Sequence, residues 1–221
     1  MNSELKKTIS ILGVAILVAI AIYGSYLPYR KSSLYIEANR NAQEATTLIE
    51  FENSIQPSLD APSPIGQNEL VRNVAGNMLG IVRNAGQNSE LVKATMDFIN
   101  SYYQPIIQKG SGPSFNQDLY LLGILNQSAF GSTRDQSYLF AAQRYYEEGN
   151  QRAPERPQTL YGLFDVYRYE GNVSGVERVA NDILTHWPDA NAIRSLYENF
   201  ESRAHATGTT ASSSSSGSQK R

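Results

Sequence analysis

An uncharged stretch near the N-terminus constrains this chain more than any other feature of its sequence. The stretch begins at Thr8 and ends at Tyr29. Basic residues stand at both of its ends, with Lys7 before it and Arg30 after it. At a rise of about 1.5 Å per residue, about 20 helical residues cross a hydrocarbon core of about 30 Å. The stretch therefore predicts a single transmembrane helix, and we assign residues 1–31 to a signal-anchor segment.

A cleavable signal peptide is the alternative interpretation of this segment. Ala19 and Ala21 flank Ile20 in the small-x-small pattern of a cleavage site. The apolar residues continue past that pattern and basic residues follow them, which favours an anchor. Pro28 predicts that the helix ends there, because proline lacks the N–H that a helix interior needs.

The side of the membrane is harder to assign, since basic residues flank both ends of the stretch and the positive-inside count is nearly balanced. The segment before the stretch is short, which favours a cytoplasmic N-terminus. We therefore expect a single-pass protein of the cell membrane whose remaining residues are extracytoplasmic.

Composition argues against several classes of function. The 221 residues have a formal net charge of −2 and include no cysteine. That charge gives no electrostatic basis for nucleic-acid binding, and the lack of cysteine excludes a disulfide framework or a thiolate metal site. The two histidines, His186 and His205, do not have the spacing of metal ligands. No phosphate-binding loop or nucleophile motif occurs, and we expect Glu147 and Glu148 to be solvated. The sequence therefore predicts no cofactor, no metal and no enzymatic activity.

Apolar residues recur at helical spacing throughout the rest of the chain, which predicts an all-α fold. Residues 32–113 form a membrane-proximal region with helices over residues 32–55, 67–84 and 89–107. A proline-rich break separates the first two helices at residues 56–66, and a loop follows at 109–113. In the third helix we expect Ser89 to be the N-cap. Its predicted buried stripe consists of Leu91, Ala94, Phe98 and Tyr102.

Residues 114–206 are predicted to contain further helices, and the Ser-rich residues 207–221 a disordered tail. The first helix is expected to start at Ser114, which would form a capping box with Gln117. The later helices cover residues 137–151, 157–170, 174–186 and 189–205. Ser174 and Glu177 are expected to form a second capping box, and residues 129–136 an inserted loop.

This second region resembles the tetratricopeptide repeat. Pro154 and Pro188 stand 34 residues apart, which is the period of that repeat. Counted from Pro157, the positions of the family's large residues on its first helix are taken by Leu160, Leu163 and Tyr167. The packing positions of its second helix are taken by Val176, Ala180 and Ile183. The upstream pair matches with Leu119, Leu122, Gly123, Ala142, Tyr146 and Gly149. Phe164 departs from the pattern, because the family has a small residue at that helix crossing. The resemblance implies an α-solenoid of helix pairs.

Stacked helix pairs of this kind form a concave groove. The family register predicts that the groove is lined by Tyr120, Ile124, Gln127, Gln158, Tyr161, Asp165, Arg168 and Tyr169. This mixture of aromatic, acidic and basic groups suits a peptide or a partner helix better than a polyanion. We therefore expect a protein or peptide partner.

A second resemblance covers most of the chain. The segment PSPIGQNE at residues 62–69 and the segment YYEEGNQRAPERPQ at residues 145–158 follow a transmembrane helix and a Leu-Pro-Tyr exit. In this order they resemble the extracytoplasmic C-terminal tail of O-antigen ligase-like membrane proteins. Those ligases have about ten membrane helices and a catalytic loop before the tail, and this chain has neither. The resemblance implies a role near cell-envelope glycan assembly and no glycosyl transfer.

Three functions remain open at this point. The first is a membrane-anchored interaction module that scaffolds an envelope-assembly complex. The second is a split or truncated ligase-like protein whose catalytic membrane part is encoded elsewhere. The third is a structural subunit that self-assembles through its repeats or through its membrane helix.

Overall fold

The computed structural model describes residues 3–213, and it describes the side-chain surroundings of residues 3–204. Every regular element in this described range is helical, so the prediction of an all-α fold is confirmed. The chain divides into two compact units, Met1–Gly112 and Pro113–Arg221.

The first unit begins with one unbroken helical rod. Helix α1 (Ser3–Ala21) continues through a π-helical segment (Ile22–Tyr26) into α2 (Leu27–Glu44). The rod has 42 residues, its most apolar window has a mean hydropathy of 2.2, and none of that window is buried. The rod is therefore long and apolar enough to cross a membrane, although an N-terminal signal sequence has the same properties.

The predicted helix end at Pro28 is wrong. Pro28 lies in the first turn of α2, and the backbone N–H of Leu27 donates to the carbonyl of Ile22. The rod is continuous through Pro28, and proline has the φ of a helix but leaves one carbonyl of the preceding turn without its N–H donor. The π-helical segment just before it changes the hydrogen-bond register, so that the rod continues past the proline.

The predicted helix over residues 32–55 is also wrong, because residues 45–47 are not helical and separate α2 from the next helix. Helix α3 (Leu48–Asp60) begins there with a capping box. The Thr47 hydroxyl accepts from the Glu50 N–H at 3.2 Å, and the Glu50 carboxylate accepts from the Thr47 N–H at 3.2 Å. Helix α3 then continues through Pro57 to Asp60, so the predicted break over residues 56–66 shrinks to residues 61–66.

Two further helices complete the first unit. Helix α4 (Gln67–Asn84) has the predicted bounds. Helix α5 (Ser89–Lys109) is capped by the side chain of Asn88, which accepts from the Leu91 N–H at 3.0 Å, so the predicted cap at Ser89 is wrong. The buried face of α5 is also one residue away from the predicted stripe. It consists of Val92, Thr95, Met96, Ile99, Tyr103 and Ile106.

The second unit is a succession of helices in which each packs on the next. They are α6 (Phe115–Thr133), α7 (Gln136–Arg152), α8 (Pro157–Glu170), α9 (Val173–His186) and α10 (Asn191–Ser213). Helix α6 contacts α8 as well as α7. Helix α10 continues beyond the predicted end at residue 205 and reaches Ser213. The rest of the predicted tail, residues 214–221, lies outside the described residues.

The predicted loop over residues 129–136 is wrong. Helices α6 and α7 are both longer than the family spacing implies, and only Arg134 and Asp135 connect them. Arg134 has a φ of 61°, the left-handed conformation that commonly ends a helix. The additional residues therefore extend two helices that already pack on each other.

Neither capping box predicted in this unit forms. Ser114 precedes α6 but makes no side-chain cap. At α9 the cap is Asn172, whose side-chain oxygen accepts from the Gly175 N–H at 3.0 Å, so Ser174 lies within the first turn. Asparagine caps as well as serine does, and the sequence offered both residues.

Glycine permits the close approach of helices α6, α7 and α8. A Cβ atom on Gly123 would lie 2.4 Å from the Tyr146 ring, and a Cβ atom on Gly162 would lie 2.5 Å from the same ring. The ring of Tyr146, which is 1% exposed, therefore fills the space between α6 and α8. This packing sets α6 beside α8.

The departure at Phe164 is resolved in the next helix pair. Phe164 is fully buried, and the small residue at the crossing of α8 with α9 is Gly175. A Cβ atom on Gly175 would lie 2.8 Å from the Tyr167 ring. The small residue that permits the close approach therefore lies on α9 instead of α8. For this reason the large side chain of Phe164 does not force the two helices apart.

Candidate functional site

The predicted groove residues lie on the neighbouring helices α6 and α8 of the second unit. Three of them are joined by hydrogen bonds. The side chain of Gln127 on α6 bonds to the carboxylate of Asp165 on α8. Asp165 Oδ1 in turn accepts from Arg168 Nη1 at 2.9 Å. Gln127 Oε1 also accepts from the buried Tyr146 hydroxyl at 2.9 Å. A continuous polar chain thus connects the core tyrosine to the surface of α8.

Burial shifts the pKa of the Asp165 carboxyl group. Loss of solvent raises the pKa of its carboxyl group, while the charge of Arg168 and the hydrogen bonds from Arg168 and Gln127 oppose the rise. Arg168 also lies over the Phe164 ring, with its guanidinium carbon 5.5 Å from the ring centroid. The pair is therefore partly desolvated and fixed in orientation, which suits directional contacts with a bound partner better than proton transfer.

The apolar members of the predicted groove differ in exposure. Tyr120 and Ile124 are partly buried and pack against the core of the unit, and the Tyr120 ring centroid is 6.3 Å from that of Tyr146. Tyr161 is 37% exposed and Tyr169 is 58% exposed. Tyr120 and Ile124 therefore contribute mainly to packing, whereas Tyr161 and Tyr169 present aromatic surface to solvent.

The last two predicted groove residues, Tyr169 and Gln158, both lie on α8. The Tyr169 ring packs edge-on against Phe130 at the C-terminal end of α6, with centroids 5.6 Å apart. Gln158 is exposed in the first turn of α8. Tyr169 thus makes a further connection between α8 and α6, while Gln158 lies at the opposite end of the same helix. We refer to the surface formed by Gln127, Tyr161, Asp165, Arg168 and Tyr169 as the α6/α8 face.

A second polar cluster, which the sequence does not predict, joins α7, α8 and α9. The Tyr167 hydroxyl donates to Glu147 Oε1 at 2.8 Å and accepts from Arg178 Nη2 at 3.2 Å. Glu147 also accepts from Gln143 Nε2 at 2.9 Å. The expectation that Glu147 is simply solvated is therefore wrong, because its carboxylate accepts hydrogen bonds from Tyr167 on α8 and from Gln143 on its own helix.

Glu170 lies near this cluster, and within the described part of the chain the burial of its carboxyl group is not offset by a hydrogen bond to its Oε1 atom. Its Oε1 atom is buried and has no hydrogen-bond partner among the described residues. Burial and the negative charge of Glu147 both raise the pKa of Glu170. The spacing of the two residues along the chain did not indicate this proximity, because it arises from the packing of α7 on α8.

The first unit has a depression of about 440 Å³ where α2 turns into α3. Its walls include the amides of Asn39 and Asn77, which are hydrogen-bonded to each other at 3.2 Å. Phe51, Ile81 and Leu91 contribute apolar surface. The Asn77 amide nitrogen donates to the Asn39 side-chain oxygen, and this single contact does not indicate a particular ligand.

Within the described residues, no group of three or more histidine, cysteine, aspartate or glutamate side chains could hold a metal ion. His186 Nδ1 lies 2.8 Å from the carbonyl of Asp182, and its Nε2 atom lies 3.9 Å from Glu155. This arrangement at the C-terminal end of α9 is typical of a histidine that interacts with the helix dipole. The side chain of His205 lies outside the described surroundings.

Comparisons of this chain with protein-family models, with curated proteins and with solved structures found no match. The resemblances to tetratricopeptide repeats and to ligase tails therefore stay predictions.

Proposed function

We propose that this protein is a membrane-anchored interaction module of tetratricopeptide type, which binds a protein or peptide partner on the α6/α8 face. The observation that supports this most strongly is the hydrogen-bonded chain from Gln127 through Asp165 to Arg168. It holds charged and amide groups of two helices in fixed positions between two exposed tyrosines.

The chemistry of the face suits a polypeptide. Tyrosine and arginine are among the residue types enriched where protein interfaces contribute most of their binding energy. Tyr161 and Tyr169 supply aromatic surface with a polar end, and the fixed Asp165–Arg168 pair can hydrogen-bond a peptide backbone or a side chain of either charge. A polyanion would meet the Asp165 carboxylate on this surface and is therefore disfavoured.

The proposed anchor is the apolar rod that includes α1. The side chains of residues 3–26 are exposed throughout, which is costly in water for an apolar helix and favourable in lipid. We place the remainder of the chain on the extracytoplasmic side, because the short segment before the uncharged stretch favours a cytoplasmic N-terminus.

The resemblance to ligase tails suggests which partner to examine first. A polytopic envelope glycosyltransferase that lacks such a tail would be completed by this chain, which would then contribute binding and no catalytic group. The proposal that the module scaffolds cell-envelope glycan assembly depends on this resemblance alone.

A pull-down from detergent-solubilised native membranes tests the α6/α8 face. The wild type is compared with a double variant, Tyr161→Ala with Arg168→Gln, and with a control, Phe140→Ala. Phe140 is an exposed aromatic residue (59%) on α7, outside the face. We expect a protein that is retained by the wild type and the control and lost by the double variant. Unchanged fluorescence of Trp187, the single tryptophan, verifies that the second unit remains folded.

Two results would contradict the proposal. Equal retention of a partner by all three proteins would show that the α6/α8 face is not the contact. Retention of nothing except further copies of the chain would favour the self-assembling subunit over an interaction module.

A further inference from the structure

Contact between the membrane-proximal fold and the apolar rod begins inside the uncharged stretch. The side chains of residues 3–26 are exposed, whereas Leu27 and Pro28 are half-buried and Lys31 is only 4% exposed. The uncharged stretch ends at Tyr29. The folded part of the first unit therefore starts at the end of the stretch, with no intervening linker.

Lys31 fixes the chain segment that lies at this level. Its ammonium group donates to the carbonyls of Leu59 and Ala61 at 3.2 and 2.6 Å, and to the side-chain oxygen of Gln67. Lys31 stands only two residues after the end of the uncharged stretch, and side chains of a helix point toward its N-terminus, so the ammonium group lies close to the end of the stretch. Residues 61–66, which connect α3 to α4, are thereby held at the same level.

This connection is suited to the boundary of a lipid bilayer. Its sequence, Ala-Pro-Ser-Pro-Ile-Gly, contains no charged residue and includes the exposed Ile65 (64%). Pro62 and Pro64 have no N–H to satisfy. The Ser63 hydroxyl donates to the Ile65 carbonyl at 2.7 Å and accepts from the Ile65 N–H at 3.3 Å. Part of the backbone hydrogen bonding is therefore satisfied locally, which lowers the cost of leaving water.

The end of α5 lies close to this connection. The Tyr102 hydroxyl donates to Asp60 Oδ1 at 2.9 Å, and a Cβ atom on Gly112 would lie 4.0 Å from the side-chain nitrogen of Asn68 in the first turn of α4. Lys109 in the last turn of α5 and Arg30 after the uncharged stretch are both exposed. Basic side chains at this level can contact the phosphates of lipid headgroups.

We propose that residues 61–66 are a membrane-surface contact, with Ile65 inserted among the lipid headgroups beside the transmembrane helix. The occupant of this surface is the bilayer itself, because the surface is continuous with the end of the apolar stretch. The contact rests on the proposed anchoring. It would fix the orientation of the first unit on the membrane, through Lys31 on one side and Ile65 on the other.

Fluorescence quenching by lipids tests this contact on the full-length chain. The chain has no cysteine, so a single environment-sensitive nitrobenzoxadiazole label can be attached in the variants Ile65→Cys, Ile49→Cys and Leu17→Cys. Ile49 is the matched control, since it is an isoleucine of similar exposure (69%) in the first turn of α3, whereas Lys31 contacts the other end of that helix. Leu17 is an exposed residue of α1.

The proteins are reconstituted in vesicles of phosphatidylcholine and phosphatidylglycerol without brominated lipid, with lipid brominated near the headgroup end of the acyl chain, and with lipid brominated near its methyl end. The last of these reaches position 17, which lies in the middle of the uncharged stretch. We expect the label at position 65 to lose fluorescence to the brominated lipid and to emit at shorter wavelength. The label at position 49 should show neither change, while the label at position 17 should show both.

The alternative results separate this inference from the proposed anchoring. Quenching at position 17 with none at position 65 would overturn the surface contact and leave the anchor in place. Equal quenching at positions 49 and 65 would also overturn it, because the unit would then lie on the membrane without a preference for residues 61–66. Absence of quenching at position 17 would refute the anchor, and the surface contact with it.

Discussion

Replacement of Gly162 by alanine tests whether the Tyr146 ring sets the spacing of α6, α7 and α8. The added Cβ atom would lie 2.5 Å from the ring, about 1 Å inside ordinary van der Waals contact. The ring has little room to move away, because it is also in close contact with α6 at Gly123. Gly162→Ala must therefore displace a helix or force Tyr146 from its preferred rotamer.

The magnitude follows from two opposing terms. Overpacking of a well-packed core costs about 1–3 kcal/mol, and the close contact of the ring with two helices favours the upper part of that range. Alanine is preferred over glycine within a helix by about 1 kcal/mol. We expect Gly162→Ala to lower the free energy of unfolding of the second unit by about 1–2 kcal/mol.

Urea unfolding followed by Trp187 fluorescence measures this change. Trp187 is partly buried against the core of the second unit and is the single tryptophan, so its signal reports on that unit. Gly131→Ala is the control, because Gly131 also lies in a helix of this unit and a Cβ atom there would meet nothing within 4 Å. The control should be neutral or more stable than the wild type.

A double-mutant cycle identifies the cause. Tyr146→Ala alone should cost about 3–5 kcal/mol, as for other large buried side chains. In the Tyr146→Ala background, Gly162→Ala should no longer destabilise, since the ring that it meets is absent. Equal destabilisation by Gly162→Ala in both backgrounds would refute the account of Tyr146 as the spacer.

Three further predictions concern other parts of the chain. Because burial and Glu147 raise the pKa of Glu170, its contribution to stability is present at acid pH and is lost as the pH rises through that raised pKa. Glu170→Gln should therefore raise the melting temperature at pH 7, and the difference between pH 5 and pH 7 should become smaller than in the wild type. Lys31→Met should leave the carbonyls at the end of α3 without their donor and lower the free energy of unfolding of the first unit by about 1–3 kcal/mol. Faster hydrogen exchange of the α3 and α4 amides would reveal this loss, and unchanged exchange would contradict it. Thr47→Ala should cost about 1 kcal/mol through loss of the capping box, with faster exchange at the first turn of α3, whereas Thr47→Ser should exchange like the wild type.

Much of the helical content could be predicted from the sequence, because the apolar periodicity of each helix is a local property. Helix α4 follows Gly66, whose φ of 88° suits glycine, and its stripe is regular. The break before α3 was missed because apolar residues continue at helical spacing across it. The Thr47–Glu50 pair has the sequence pattern of a capping box and could have indicated that break.

The arrangement of side chains in space could not be predicted to the same extent. The bond between Gln127 and Asp165 depends on the approach of α6 to α8, which depends in turn on the glycines that accept the Tyr146 ring. The buried face of α5 differs from the predicted stripe by one residue, since two neighbouring apolar stripes exist and packing in the first unit selects one of them. The position of Glu170 beside Glu147 likewise arises from tertiary packing alone.

Site-specific photocrosslinking in intact native membranes tests the proposed function most directly. A benzophenone side chain replaces Tyr161 on the α6/α8 face in one protein and Phe140 on α7 in another. The proposal predicts a discrete crosslinked species with a second protein from position 161, which Arg168→Gln weakens, and no such species from position 140. Crosslinking from position 140 alone, or equally from both positions, would contradict the proposal that the α6/α8 face binds the partner.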